Sequence, residues 1–170
     1  MPNGYAGKFL DVDLTKERIK EVSFDEKTLQ QYFGGRGLAA KILWDRVGRK
    51  WETLDPYAPE SPLIILTGPM TGIYPGGRIC ISGKSPASMG TVGSTAATEF
   101  AHELRCAGFD GIIVTGKAEK PVYILVTDGE AEIRDASHLW GTLGEETIKT
   151  LNKDVNEELR KRMTRCEAKT

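Results

Sequence analysis

GIIVTGKAEKPVYILVTDGEAEIRD, residues 111–135, is the stretch on which the fold turns. Gly111 to Thr115, Val122 to Thr127 and Glu130 to Asp135 are short apolar or alternating runs, and each reads as a strand. Asp128-Gly129 joins the last two. An Asp-Gly pair between alternating runs marks a two-residue hairpin turn, whose central residues both need positive φ. Working outward, Gly7 to Leu14 (GKFLDVDL) and Arg18 to Phe24 flank a polar Thr15-Lys16-Glu17 turn and make a second hairpin. Leu63 to Leu66 is a continuous apolar run that reads as a buried strand, and Ile79 to Ser82 is the next one. Strands outnumber helices and pair as hairpins, not as regular βαβ units. The fold class expected is therefore α+β, a β-sheet platform with a few helices.

Four helices complete the reading. Asp25 is an N-cap for a short one through Tyr32. After Gly34-Gly35-Arg36-Gly37 a second follows, with Leu38, Ile42, Leu43 and Val47 on one face. The small residues Gly90 to Thr95 are expected to open a third, with Ala97, Phe100, Ala101 and Leu104 as its buried stripe and Gly108 as its stop. Thr142-Leu143-Gly144-Glu145 matches a capping box before a charged helix with Ile148, Leu151, Val155 and Leu159 as its seam. The expected strands thus cover 7–24, 63–67, 79–82 and 111–135, and the longer helices 37–47, 95–106 and 143–159. Residues 160–170 read as a fraying polar tail, and 1–170 as a single domain.

Composition narrows the functional classes. With 23 Lys+Arg against 24 Asp+Glu in 170 residues, the chain lacks the basic excess of a nucleic-acid binder. No apolar run approaches the roughly 20 residues of a membrane span, and Met1 to Ala6 has no signal-peptide core, so a cytoplasmic address is expected. Cys80, Cys106 and Cys166 are far apart and form no CxxC pair, so no zinc ribbon or iron–sulfur site can be built locally. No metal ligand is assigned. His102 and His138 read as packing or surface residues, and no GxSxG elbow accompanies them.

Three glycine-bearing segments could carry chemistry. Gly34-Gly35-Arg36-Gly37 reads first as a turn needing positive φ. Gly68 to Arg78 is a loop ending in Gly76-Gly77-Arg78, where glycine admits close backbone approach and the guanidinium can hold a phosphate or polar heterocycle bidentately. Gly93-Ser94-Thr95-Ala96-Ala97, read as a helix start, would offer free N–H groups to an anion. It is neither a Walker A loop nor GxGxxG, and Ser94 or Thr95 as a plain N-cap would also explain it.

The residues as a set resemble a known family. GKFLDVDLT, FGGRGLAAKIL, LDPYAPESPLIILTGPMTG, GGR at 76–78, KSP at 84–86 and AGFDGIIVTGKAEKPVYI follow, nearly collinearly from about Gly4 to Leu151, the N-terminal domain of tungsten-containing aldehyde:ferredoxin oxidoreductases. The resemblance implies a β-sheet base beneath a tungsten bis-pterin cofactor, with tungsten held by pterin dithiolenes and a magnesium ion bridging the cofactor phosphates. It implies that Arg78, with Gly76 and Gly77, contacts the pterin, and that Gly93, Ser94, Thr95 and Ala97 lie on the cofactor's pterin or phosphate side. Where relatives carry Asn-x-Gly this chain has Thr95-Ala96-Ala97, which leaves the contact at Thr95 to its backbone carbonyl.

The 4Fe-4S cluster, the catalytic acid and base, and the onward path to ferredoxin are implied only for further domains. No catalytic residue is assigned here, and the chain alone is expected to have no turnover. The expected role is a cofactor platform for an enzyme converting aldehyde and water to carboxylate. The alternative is a cofactor-free scaffold module of a larger oxidoreductase complex. The remaining domains or subunit are the expected partners, with a homo-oligomer and no nucleic acid or membrane. Tungsten or molybdenum, and an aldehyde or an acyl-CoA ring-reductase branch, stay open at this point.

Overall fold

The computed structural model describes residues 4–73 and 77–167, with side chains to residue 158. The chain divides into two compact units, one of residues 1–119 with 124–134 and one of residues 120–123 with 135–170. The first carries a six-stranded sheet: β1 (Phe9–Asp13), β2 (Arg18–Val22), β3 (Leu63–Leu66), β4 (Arg78–Lys84), β5 (Thr91–Ala97) and β6 (Gly111–Thr115). Their spatial order is β2-β1-β6-β3-β4-β5. Only β1 and β6 run parallel; every other neighbouring pair is antiparallel. The α+β expectation holds, since the sheet is mixed and mainly antiparallel.

Alternation along the strands divides the core. Phe9, Ile64, Leu66 and Ile113 face α1 (Glu26–Tyr32) and α2 (Gly35–Val47), where they meet Leu29, Leu38, Ala39, Ile42 and Leu43. Leu10, Val12 and Ile112, at the alternate positions of the same strands, face the other way and meet Leu104 of α3 (Glu99–Cys106) and Phe109. β7 (Val122–Thr127) and β8 (Glu130–Asp135) form a separate two-stranded sheet. Its Ile124, Val126, Ala131 and Ile133 pack on the second cluster. The turn between them has Asp128 at φ 49° and Gly129 at φ 84°, the left-handed pair that the Asp-Gly sequence demands. Asp25 caps α1 as expected, its Oδ1 accepting from the Thr28 amide at 2.9 Å.

Three expectations need correction. Gly93 to Ala97 do not open a helix: they lie in β5, paired through seven positions from Lys84↔Thr91 to Arg78↔Ala97. The ladder overrides a local run of small residues, and the β-branched Thr91, Val92 and Thr95 suit the extended backbone. The third helix starts only at Glu99, after Thr98, which makes no side-chain cap bond. Ala97 and Phe100 therefore drop out of its buried stripe, and Ala101 and Leu104 remain. In the second unit, α4 runs Gly144–Glu167, so the helix continues through most of the stretch read as a fraying tail. The capping box does not form as written. The Thr142 hydroxyl donates to the Leu139 carbonyl at 2.8 Å and meets the Thr147 hydroxyl at 2.6 Å. In the same unit His138 faces Asp154 at 3.3 Å, a surface pairing. No helix among the described residues is long and apolar enough to cross a membrane.

Candidate functional site

At the edge of the first unit's sheet a cleft of about 510 Å³ opens on the face that carries α2. That volume falls in the range of small-molecule sites. Its floor is the start of β4 and the middle of β5. Arg78 opens β4, and the register sets Arg78 opposite Ala97, Cys80 opposite Thr95 and Ser82 opposite Gly93. With a period of two, all six share one face of the sheet, and Ser94, opposite Ile81, belongs to the other.

A tight turn forms the cleft wall. The Thr71 amide donates to the Gly68 carbonyl at 3.0 Å, and the Gly68 amide returns a bond to the Thr71 hydroxyl at 3.2 Å. Gly77 packs on that threonine: a Cβ there would sit 3.1 Å from Thr71 Cγ2. Phe33 and Met70 also line the cleft while staying 70% and 59% exposed, which leaves its rim apolar.

Beside the cleft floor stands a buried polar knot. Asp110, 2% exposed, pairs with Arg105, and its carboxylate accepts the Ala6 and Gly7 amides at 3.1 and 2.6 Å. The Thr67 hydroxyl and amide both donate to the Asp110 carbonyl at 2.9 Å. Thr67 thereby fixes the strand end from which Gly68 departs, and its own carbonyl accepts from the Gly35 amide at 3.2 Å. Burial pushes the Arg105 guanidinium below its ordinary pKa, with Tyr5 and Cys106 acting in the opposite direction.

The second arginine of the cleft comes from Gly34-Gly35-Arg36-Gly37. The turn reading is right as far as it goes, with Gly34 at φ 71° and Gly35 at φ 50°. A Cβ on Gly34 would stand 2.8 Å from the Thr67 carbonyl oxygen. This turn starts α2 beside the cleft and sends Arg36 across β5. Neither Arg36 nor Arg78 has a carboxylate or hydrogen-bond partner among the described residues. The remaining side-chain chemistry is hydroxyl and thiol: Thr67, Thr71, Thr95 and Cys80, whose Sγ lies 3.5 Å from Ser82 Oγ. No group of three or more His, Cys, Asp or Glu gathers for a metal among the described residues. Guanidinium, hydroxyl and backbone amide suit a phosphate or a polar heterocycle.

Of the residues singled out from sequence, Gly77, Arg78 and Thr95 line the cleft. Gly93 lies under the Arg36 side chain, Ala97 pairs with Arg78 without lining the cleft, and Ser94 belongs to the opposite face. Gly76 lies outside the described residues. Sequence reasoning missed Arg36, Thr67 and Thr71 as parts of the same wall. The signal for Arg36 was a guanidinium set among three glycines, and the need for positive φ absorbed it.

A family model for the aldehyde ferredoxin oxidoreductase N-terminal domain matches residues 9–165. The chain belongs to this family. The match reaches past Leu151, where the quoted resemblance stops, and into α4. A Pyrococcus furiosus aliphatic sulfonate oxidoreductase, WOR-like subunit, is 52% identical over 158 residues, 93% of this chain and 25% of that protein. A tungsten-containing aldehyde ferredoxin oxidoreductase from the same organism is 42% identical over 157 residues, 91% of this chain and 26% of that protein. Among solved structures, the active-site complex BamBC of benzoyl coenzyme A reductase, in complex with 1,5-dienoyl-CoA, superposes with a TM-score of 0.84 at 38% identity. That superposition covers 92% of this chain and 24% of the other. This chain thus spans about a quarter of the length of the relatives it matches.

Proposed function

We propose that this aldehyde ferredoxin oxidoreductase N-terminal domain is the cofactor platform of a larger tungstopterin enzyme. The observation that carries the reading is a cleft with two guanidiniums that no carboxylate among the described residues neutralises, on a wall of glycine and hydroxyl residues. Buried or cleft-facing charge without a counter-ion favours an anionic ligand. The donor set fits a pterin phosphate: planar forks for phosphate oxygens or ring edges, hydroxyls for hydrogen bonds and an apolar rim for the ring face.

Arg78 would hold the pterin edge, Thr95 would meet the cofactor through its backbone carbonyl, and Gly77 lies against Thr71 beside them. When bound, the tungsten–pterin group would supply the two-electron oxidation of an aldehyde with water, giving a carboxylate, three protons and two electrons. The chain's own residues would bind and orient, and no catalytic acid or base is assigned to them. The iron–sulfur cluster, passage of electrons to ferredoxin and choice of substrate belong to the companion domains. A cytoplasmic, homo-oligomeric enzyme completes the reading. The names of the relatives, one acting on sulfonates and others on aldehydes, support an oxidoreductase and an aldehyde substrate as the working choice.

The test is elemental analysis of the natively expressed protein together with its companion domains. Stoichiometric tungsten that falls in Arg78→Ala and recovers in part in Arg78→Lys supports the platform. A metal-free protein would leave the cofactor-free scaffold as the better account. The 170-residue chain alone should show no aldehyde-dependent viologen reduction, and sustained turnover would mean that a whole site lies within it.

A further inference from the structure

We propose that Arg36 is a phosphate anchor of this cleft, laid across β5 by the absence of a side chain at Gly93. The inference deepens the platform reading and rests on it for the identity of the ligand. Three observations carry it.

First, Arg36 lines the same cleft as Arg78 and has no partner among the described residues. Arg46 of the same helix, by contrast, reaches Asp11 at 2.8 Å. Second, the stem of Arg36 is seated. A Cβ built on Gly93 would lie 2.8 Å from Arg36 Cγ and 3.1 Å from both Cδ and Nε. Any side chain at residue 93 would displace the arginine, so the glycine acts as a slot that orients the fork. Third, Gly93 shares its strand face with Thr95, two positions on, and Thr95 lines the cleft. Arg36 therefore approaches from the Thr95 end, whereas Arg78 opens β4 opposite Ala97.

The positive end of the 13-residue α2 adds to the field at the same place. Gly35 donates to Thr67 and Leu38 to Gly34, and the first-turn amides between them lack helical acceptors. The Arg36 guanidinium beside a helix start selects a phosphate ester, while Arg78 at the other end is left for the ring edge. The phosphate could belong to a pterin or to a nucleoside diphosphate; the assignment here is to the pterin.

The experiment follows Arg36 Nε and the amides of residues 35–37 by NMR in the 170-residue chain titrated with inorganic pyrophosphate. A saturable shift centred on these groups is expected. Arg36→Gln should weaken binding about tenfold or more, the scale of one charge-assisted contact. Arg36→Lys should retain part of it. Gly93→Val keeps the charge and removes the slot, so it should weaken binding while a melting curve confirms the fold. No saturable shift, or wild-type affinity in both Arg36→Gln and Gly93→Val, would overturn the proposal. ADP binding more tightly than pyrophosphate would overturn the pterin assignment. Tungsten in the natively expressed protein separates the two readings. Metal lost in Arg78→Ala but unchanged in Arg36→Gln sinks the Arg36 anchor and leaves the platform standing. No metal in wild type, with pyrophosphate still bound at Arg36, sinks the platform and leaves the anion site.

Discussion

Arg105 and Arg78 both serve the region where β4 and the Gly68 turn meet, and their surroundings are opposite. Arg105 is drawn into the protein against Asp110 and also donates to the Gly4 carbonyl at 2.7 Å. Arg78 and Arg36 stand exposed on the cleft, with no carboxylate partner among the described residues. A charge that holds a fold needs its counter-ion in the same chain, because an unpaired buried ion costs several kcal/mol. A charge kept for a ligand is left open, since an internal carboxylate would compete with that ligand. The difference separates residues that build the wall from residues that use it.

The sharpest way to break this division is at Asp110. Asp110→Ala leaves Arg105 buried without its partner and strands the Ala6 and Gly7 amides, so a loss of about 3–5 kcal/mol is expected in urea unfolding. A loss no greater than that of Arg78→Ala would abolish the distinction. Gly34→Ala is next. It forces a side chain to positive φ and against the Thr67 carbonyl, for an expected cost of about 1–3 kcal/mol. Arg78→Ala should change unfolding by no more than about 0.5 kcal/mol, as surface substitutions do, while lowering tungsten content. Folding and metal loss appearing together in that variant would move Arg78 into the knot's class.

The smallest effect sharpens the contrast from outside both regions. The Thr28 hydroxyl and amide hold the exposed Asp25 carboxyl below the usual carboxylate range. A depressed folded-state value means the cap stabilises above the unfolded pKa of about 3.9 and fades as pH falls through the lower folded value. The stability gap between wild type and Asp25→Ala should therefore close under acid. A gap that persists well below that range would show that the cap does not depend on the charge.

Local chemistry made much of the fold legible. Asp128-Gly129 declared its turn, Asp25 its cap and Leu38-Ile42-Leu43 their face, because each cause lies within a few residues of its effect. β5 was hidden for the opposite reason. Gly93-Ser94-Thr95-Ala96-Ala97 is extended because β4 pairs with it, and no neighbour in sequence announces that. The candidate site was half visible: Gly77, Arg78 and Thr95 were named, but Arg36 owes its position to Gly93, a residue remote in the chain. Ser94 fell away once the strand register assigned it to the other face.

The position of β6 has a consequence for the order of folding. It is the last strand of the six to be synthesised, yet it stands between β1 and β3, with Phe9 opposite Gly111 on one side and Leu66 opposite the same glycine on the other. Until residue 115 leaves the ribosome, the β1–β2 hairpin and the β3–β5 meander are two unjoined fragments with bare edges. Closing over so long a chain separation is slow and exposes those edges to other chains. Nascent chains stopped before β6 are expected to stay protease-sensitive and to bind chaperones, and protection should arrive in one step when the central strand inserts.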